Sequence, residues 1–250
     1  MNTSINPFNE QNKHPRDSHI EFFADPHSYQ VDGQEFQSAT ALIDSYFAPF
    51  DSEYWSKYKS EQLGISIEEV KDKWDEIAAA GTQLHARIEQ YFIQASQEDS
   101  LEFSYFLDFI ADHPNLQAYR TEWTIFHEKY GVAGTLDLLA KNEGKFEIYD
   151  WKRSKNVISL RGGYLMDRAF RGKTGKGVLQ HIPDTNYHKY CLQQSLYRYI
   201  LEHKYGLEIE AAYLIVLHPK LKSYHKVKAT YYPNEIESIL EDKTKCNKTW

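Results

Sequence analysis

The chain has 250 residues, 41% hydrophobic and 15% aromatic, which is enough for one large domain or two small ones and argues against wholesale disorder. A formal net charge of −7 argues against a protein that coats nucleic acid non-specifically. No apolar run approaches the ~20 residues of a membrane span, and the two cysteines, Cys191 and Cys246, can build neither a disulfide framework nor a cysteine-ligated cluster.

Residues 1–18 are polar and aperiodic and are expected to form a flexible arm, leaving 19–250 as one domain. The arm has neither the apolar core of a secretory signal nor the Arg-rich, acid-poor bias of a transit peptide, so a cytoplasmic location is the expectation. From His19 to Phe36 the pattern is strand, turn, strand, with Asp32-Gly33 as the turn. Ser38 can cap a helix through Phe47, and Asp51 to Gln62 is expected to be helical. Ser66-Ile67-Glu68-Glu69 fits a capping box opening a helix to about Ala80; Gly81 should interrupt it before a second helical stretch, Thr82 to Phe92. After the acidic stretch Gln97 to Glu102 a helix runs through Ile110, and Tyr119 to His127 has strand composition.

Tyr130 to Lys155 carries a second hairpin, with strands Val132 to Ala140 and Lys145 to Lys152 around a turn containing Asn142 and Gly144. Ile158 to Asp184 is glycine-rich and aperiodic, a loop long enough to be functional. Between Lys152 and Lys176 there are eight Lys and Arg against Asp167 alone, a patch suited to phosphates. Tyr187 to His203 reads as a helix ended by Gly206. Ala211 to Leu217 reads as a buried strand and Tyr224 to Tyr232 as its partner, and Pro233 begins a short helix followed by a polar tail. This order predicts a mixed sheet flanked by helices.

In a strand, residues i and i+2 share a face, so Asp150 and Lys152 project together, with Asp137 on the partner strand. Two carboxylates and a lysine at one hairpin end suit a divalent cation and an activated water. The pattern is weak alone, since Glu-x-Lys recurs at Glu69, Glu143, Glu202 and Glu241, but those copies fall in expected helices, the tail or a turn.

Further features lie along the chain. Gly81-Thr82-Gln83-Leu84-His85 stands at a helix start, Glu122 on a strand, Gly134-Thr135-Leu136-Asp137 and Asp150-Trp151-Lys152 on the hairpin, and Gln193 and Tyr197 on a helix. Upstream lie His27-Ser28-Tyr29 and Ser38-Ala39-Thr40. In this order, from His27 to Tyr197, the chain resembles the RecB-like branch of the PD-(D/E)xK nuclease superfamily. Within that branch it is similar to the mitochondrial genome maintenance exonuclease group and its bacterial and phage relatives.

That resemblance implies a restriction-endonuclease-like α/β/α sandwich with a central mixed sheet and an N-terminal hairpin plus helices. It implies that His85, Asp137 and Asp150, helped by the Trp151 carbonyl, bind Mg2+ or Mn2+, and that Lys152 positions or activates the attacking water. Glu122 becomes an accessory acid, and Thr82, Gln193 and Tyr197 substrate-binding residues. Leu136 stands where the name-giving proline would be, and the four cysteines that bind an iron–sulfur cluster in several relatives are absent, so no cluster is expected.

Bland alternatives stay open at each position. His85 could pair with Glu89, Glu122 with Arg120 or a lysine, and Gln193 and Tyr197 could simply be buried on the sheet. Arg153, Ser154 and Lys155 could grip phosphates or form a solvated turn. The functional expectation is a metal-dependent DNA nuclease, an exonuclease on single-stranded ends in DNA repair, recombination or replication, with no membrane partner. A structure-specific endonuclease and a catalytically inactive nucleic-acid-binding module are the alternatives.

Overall fold

The structure, a computed structural model, describes residues 7–94 and 99–246. In chain order it runs α1 (Pro7–Glu10), a 3-10 turn (Pro15–His19), β1 (Ile20–Phe23), β2 (Ser28–Val31), β3 (Gln34–Ser38), α2 (Ala39–Asp44), α3 (Ser52–Leu63), α4 (Ile67–Gln94) and α5 (Leu101–Asp112). There follow β4 (Leu116–His127), β5 (Val132–Asn142), β6 (Lys145–Lys152), α6 (Asn186–Lys204), β7 (Ile209–Val216), β8 (His225–Lys228) and α7 (Pro233–Cys246).

Two tight turns set the hairpins. Asp32 and Gly33 both have positive φ and join β2 to β3, while Glu143 and Gly144 do the same between β5 and β6, the twist that two-residue hairpins require. Eight strands form one mixed sheet in the order β1-β2-β3-β5-β6-β7-β8, with β4 also paired to β5. β5 is the hub. Antiparallel β4 follows one of its edges from Val132 to Asn142. The other edge is shared: β3 pairs in parallel at Val132 and Ala133, and β6 pairs antiparallel from Leu138 to Asn142. Residues 134–137 lie between these two partners.

Helices cover both faces, giving an α/β/α sandwich. On one face Leu192, Leu196 and Ile200 of α6, with α2 and α7, pack on Trp123, Ile125, Leu139 and Ile148. On the other, Leu84 and Ile88 of α4 and Phe103, Phe106 and Phe109 of α5 pack on Leu138, Tyr149, Trp151 and Ile215. α6 carries the crossover between parallel β6 and β7, as a parallel pair requires.

Several expectations need correction. The arm over 1–18 is not loose where it is described, from residue 7 onward; residues 1–6 lie outside the described residues. The Asn9 side chain donates to Thr121 O (2.6 Å) and accepts from Thr121 N (2.9 Å), and Asn12 donates to Tyr119 O, so this segment covers the outer edge of β4. The first strand region contains β1 in addition to the hairpin. Gly81 does not break its helix: α4 runs unbroken for 28 residues, because its sheet-facing Leu84 and Ile88 hold the second half down. The capping box at its start is present, with Ser66 N donating to Glu69 (2.7 Å) and Glu69 N to Ser66 Oγ (3.1 Å). β8 is shorter than its apolar pattern and α7 longer, absorbing part of the expected tail. Residues 97 and 98 of the acidic stretch lie outside the described residues, and Ser100 caps α5. No described helix is long and apolar enough to cross a membrane.

The docked segment generates a prediction. Asp17 accepts from Arg120 Nη1 (2.8 Å), Trp123 Nε1 (2.8 Å) and His14 N (2.8 Å), and Arg120 is 2% exposed. Asp17→Ala leaves that guanidinium buried without its counter-charge and should cost about 3–5 kcal/mol in urea unfolding. A loss below about 0.5 kcal/mol, the range of an ordinary surface substitution, would contradict the docking.

Candidate metal centre

The site forms where the shared edge of β5 opens. The ladder to β6 stops at Leu138↔Tyr149, and beyond it the Asp137 carboxylate takes over the role of a strand partner, accepting from Trp151 N at 2.7 Å. This fixes one Asp137 oxygen and leaves the backbone N–H of β6 satisfied. Three residues earlier on β5, position 134 must be a glycine. A Cβ there would stand 2.5 Å from Cε1 of Tyr197, whose ring fills the space over the strand.

Glu122 reaches the same place by a backbone irregularity. It has φ of 45° and drops out of a ladder that is regular on both sides, at Thr121↔Leu138 and Trp123↔Leu136. For a non-glycine residue that conformation costs of order 1–3 kcal/mol and tends to occur at functional sites. Glu122 does not pair with Arg120, which is held by Asp17.

His85, from the middle of α4, completes the group. Its Nε2 lies 2.8 Å from the Trp151 carbonyl and therefore donates to it, leaving Nδ1 to face Asp137 (3.4 Å) and Glu122 (3.9 Å). A metal-binding imidazole is commonly oriented by such a bond from its second nitrogen. The Trp151 carbonyl thus holds the histidine, and the Trp151 side chain is buried against α5.

His85, Glu122 and Asp137 each offer one ligand atom within 4.8 Å of the others, and this group could hold a metal ion. The donor set fits one: hard carboxylate oxygens suit divalent cations, and an imidazole nitrogen extends the range to transition metals. The electrostatics fit as well. Burial pulls the His85 pKa down, but the Asp137 carboxylate outweighs it and raises it to about 9. Burial pushes Asp137 up, yet His85, Lys152 and the Trp151 N–H hold it below the usual carboxylate range. Burial, followed by the charge of Asp137, raises Glu122 to about 8. A cation in the group would take the place of the His85 proton.

Asp150 and Lys152 form a second unit in the same cleft, of about 530 Å³. They do share a face of β6, with Lys152 Nζ 2.7 Å from Asp150 Oδ2. The other Asp150 oxygen accepts from Gln194 Nε2 at 2.8 Å. Asp150 is therefore not one of the three residues whose ligand atoms cluster. Burial raises it to about 6 against the pull of Lys152. Burial also works against the charge on Lys152, but Asp150 holds the ammonium above its ordinary range. Nζ also lies 4.5 Å from the Tyr190 ring centroid.

The remaining expected residues divide. Thr82 and Gln193 line the cleft, and Gln193 donates to Thr40 (2.9 Å) and Tyr197 (3.1 Å). Tyr197 lines the cleft but is 3% exposed and its ring packs in the core, so burial describes it better than an open contact surface. Arg153 is not a free phosphate ligand, because it donates to Glu102 at 2.7 Å. Ser154 and Lys155 lie at the surface beyond it. His27 and Tyr29 also line the cleft, and Tyr29 bonds Thr135. Gln194 and Tyr190 were missed by sequence reasoning. The signal for Gln194 was present: it shares the buried face of α6 with Tyr187 and Cys191, at i, i+4, i+7, where a polar side chain needs a partner.

Metal binding is testable by thermal unfolding. At a hundredfold excess over Kd, Mn2+ should stabilise the chain by about 2.7 kcal/mol, a rise in Tm of about 5–10 °C. His85→Ala and Asp137→Ala should abolish that increment whatever they do to the starting Tm; an undiminished increment in His85→Ala would place the ion elsewhere.

No family model and no curated protein matches the chain. Similar solved structures include "Crystal structure of SSO0001", 15% identical, with 85% of this chain and 76% of that chain covered at a TM-score of 0.38, a likeness too low to carry an argument.

Proposed function

We propose that this protein is a metal-dependent deoxyribonuclease of the RecB-like branch of the PD-(D/E)xK superfamily, acting as an exonuclease on single-stranded DNA ends. The observation that carries the proposal is the convergence, at the open edge of β5, of a His85/Glu122/Asp137 group with a buried Asp150–Lys152 pair. An isolated metal group would serve many chemistries. An ammonium held by a carboxylate beside such a group is suited to attack on a charged phosphodiester.

His85 and Asp137, with Glu122, would hold Mg2+ or Mn2+, which supplies Lewis acidity toward a phosphoryl oxygen and a lowered pKa for bound water. The chain does the positioning. Lys152 stays charged because Asp150 faces it, and it can donate to the attacking water or to a non-bridging phosphate oxygen. Gln194 fixes the other Asp150 oxygen, so the carboxylate cannot swing away from the lysine. Water forms the new P–O bond and releases a proton to solvent, while the bond to the sugar oxygen breaks with its electron pair on that oxygen, which takes up a proton from solvent. Gln193 and Thr82 line the cleft and would contact the strand.

The purified chain with Mg2+ or Mn2+ should degrade end-labelled single-stranded DNA, and Lys152→Ala should slow it at least about 10²-fold, the lower range for loss of a proton-handling group. Resistance of a circular single strand would identify the exonuclease. Metal-dependent cleavage that survives both Lys152→Ala and Asp137→Ala would contradict the site, and tight binding without turnover in any metal would contradict the activity.

A further inference from the structure

A second groove, of about 470 Å³, opens beside the carboxylate cleft and shares Gly81, His85 and Lys152 with it. The two are opposite in charge. The first contains Glu122, Asp137 and Asp150; the second has no Asp or Glu among its lining residues, in a chain with 36 acidic to 29 basic side chains. One side of it comes from the end of β6, with the turn that follows, and from the segment after β7. These supply Arg153, Lys155, His218 and Lys220.

Their hydrogen bonds leave a set of donors. Arg153 is neutralised by Glu102, whereas Lys155 and Lys220 are exposed and make no ion pair among the described residues. His218 Nδ1 accepts from Lys220 N at 3.1 Å, which puts the ring proton on Nε2. Ser154 Oγ accepts from Asn156 N at 3.1 Å, and its own proton remains to donate. The α4 side is different in kind. Apart from His85, which it shares with the cleft, it presents Ile77, 55% exposed, with Ala78 and Gly81, three residues without a hydrogen-bonding side chain.

We propose that this groove binds the backbone phosphates of a single nucleic-acid strand on one flank of the scissile bond. Lys155, Lys220, His218 and Ser154 receive the phosphates, and the sugars and bases lie against the Ile77–Ala78 surface of α4. A duplex shows phosphates on both outer sides and would bring charge to the apolar wall; a single strand has one charged and one apolar side, as the groove does. The assignment deepens the nuclease proposal and rests on it. It also gives Lys152 and His85 a second task, as the point where the flanking strand passes into the cleft.

The test is fluorescence anisotropy of a labelled single-stranded DNA oligonucleotide in Ca2+, with strand integrity checked on a gel, across a range of salt. Lys155→Glu/Lys220→Glu is compared with an equal charge reversal at the far turn of the β5–β6 hairpin, Lys141→Glu/Lys145→Glu. The groove variant should bind at least about tenfold more weakly. Its dependence of log K on log salt should flatten by about 1.4, at about 0.7 per phosphate contact on a single strand. The far-turn variant should match the wild type in both. If the wild type binds and cuts the strand and the groove variant does so equally well, the groove is overturned and the nuclease proposal stands. If a duplex of the same sequence binds more tightly and loses as much in the groove variant, the single-strand assignment is overturned. A wild-type chain that neither binds nor cuts any strand in Mg2+, Mn2+ or Ca2+ overturns the nuclease proposal and the groove with it.

Discussion

The hydrogen bond from Trp151 N to the Asp137 carboxylate, 2.7 Å long, is the contact on which the rest of the site depends. Two strands, β3 and β6, share one edge of β5, and neither reaches residues 134–137. Opening a sheet in its interior leaves backbone donors without partners, and each unpaired buried group costs about 1–3 kcal/mol. Asp137 satisfies one of them and in doing so has its carboxylate fixed at the mouth of the gap. The same strand end then presents the Trp151 carbonyl to His85 Nε2. The backbone of a single β6 residue, Trp151, therefore orients both the aspartate and the histidine.

Around this point the two faces of the sandwich act differently. α4 brings His85 from one side, and its long unbroken course depends on the apolar contacts of Leu84 and Ile88 that bracket the histidine. α6 brings Gln194 from the other face to hold Asp150, and its Tyr197 needs Gly134 to be a glycine. The carboxylates end up in contrasting states. Asp137 is held low by His85 and Lys152, while burial keeps Glu122 and Asp150 high. Such a spread arises where acids are gathered without enough counter-charge, and a divalent cation is the natural complement.

Much of this was legible from spacing. Asp150 and Lys152 share a face because a strand has a period of two, and the turn residues Asp32-Gly33 and Asn142 with Gly144 announced both hairpins. A mixed sheet flanked by helices followed from the order of periodic segments. What was not legible depends on single polar contacts at long range. The N-terminal segment docks through Asn9, Asn12 and Asp17 rather than an apolar stripe, so it carries no periodic signal. Gly81 was read as a break because local propensity disfavours glycine in helices by about 1 kcal/mol, a preference that packing of the flanking turns overrides. For Arg153 the sequence leaves a phosphate ligand and a solvated turn both open, because its partner Glu102 lies 51 residues away. The positive φ of Glu122 could not be read from a residue type that so rarely adopts it.

The central claim is that His85, Glu122 and Asp137 form a divalent-cation site at the open edge of β5. A crystal of the wild-type chain soaked in Mn2+ and measured for anomalous scattering tests it most directly. A peak within coordination distance of His85 Nδ1 and an Asp137 oxygen is the predicted result. Manganese peaks elsewhere on the protein, with none at this group, would contradict it.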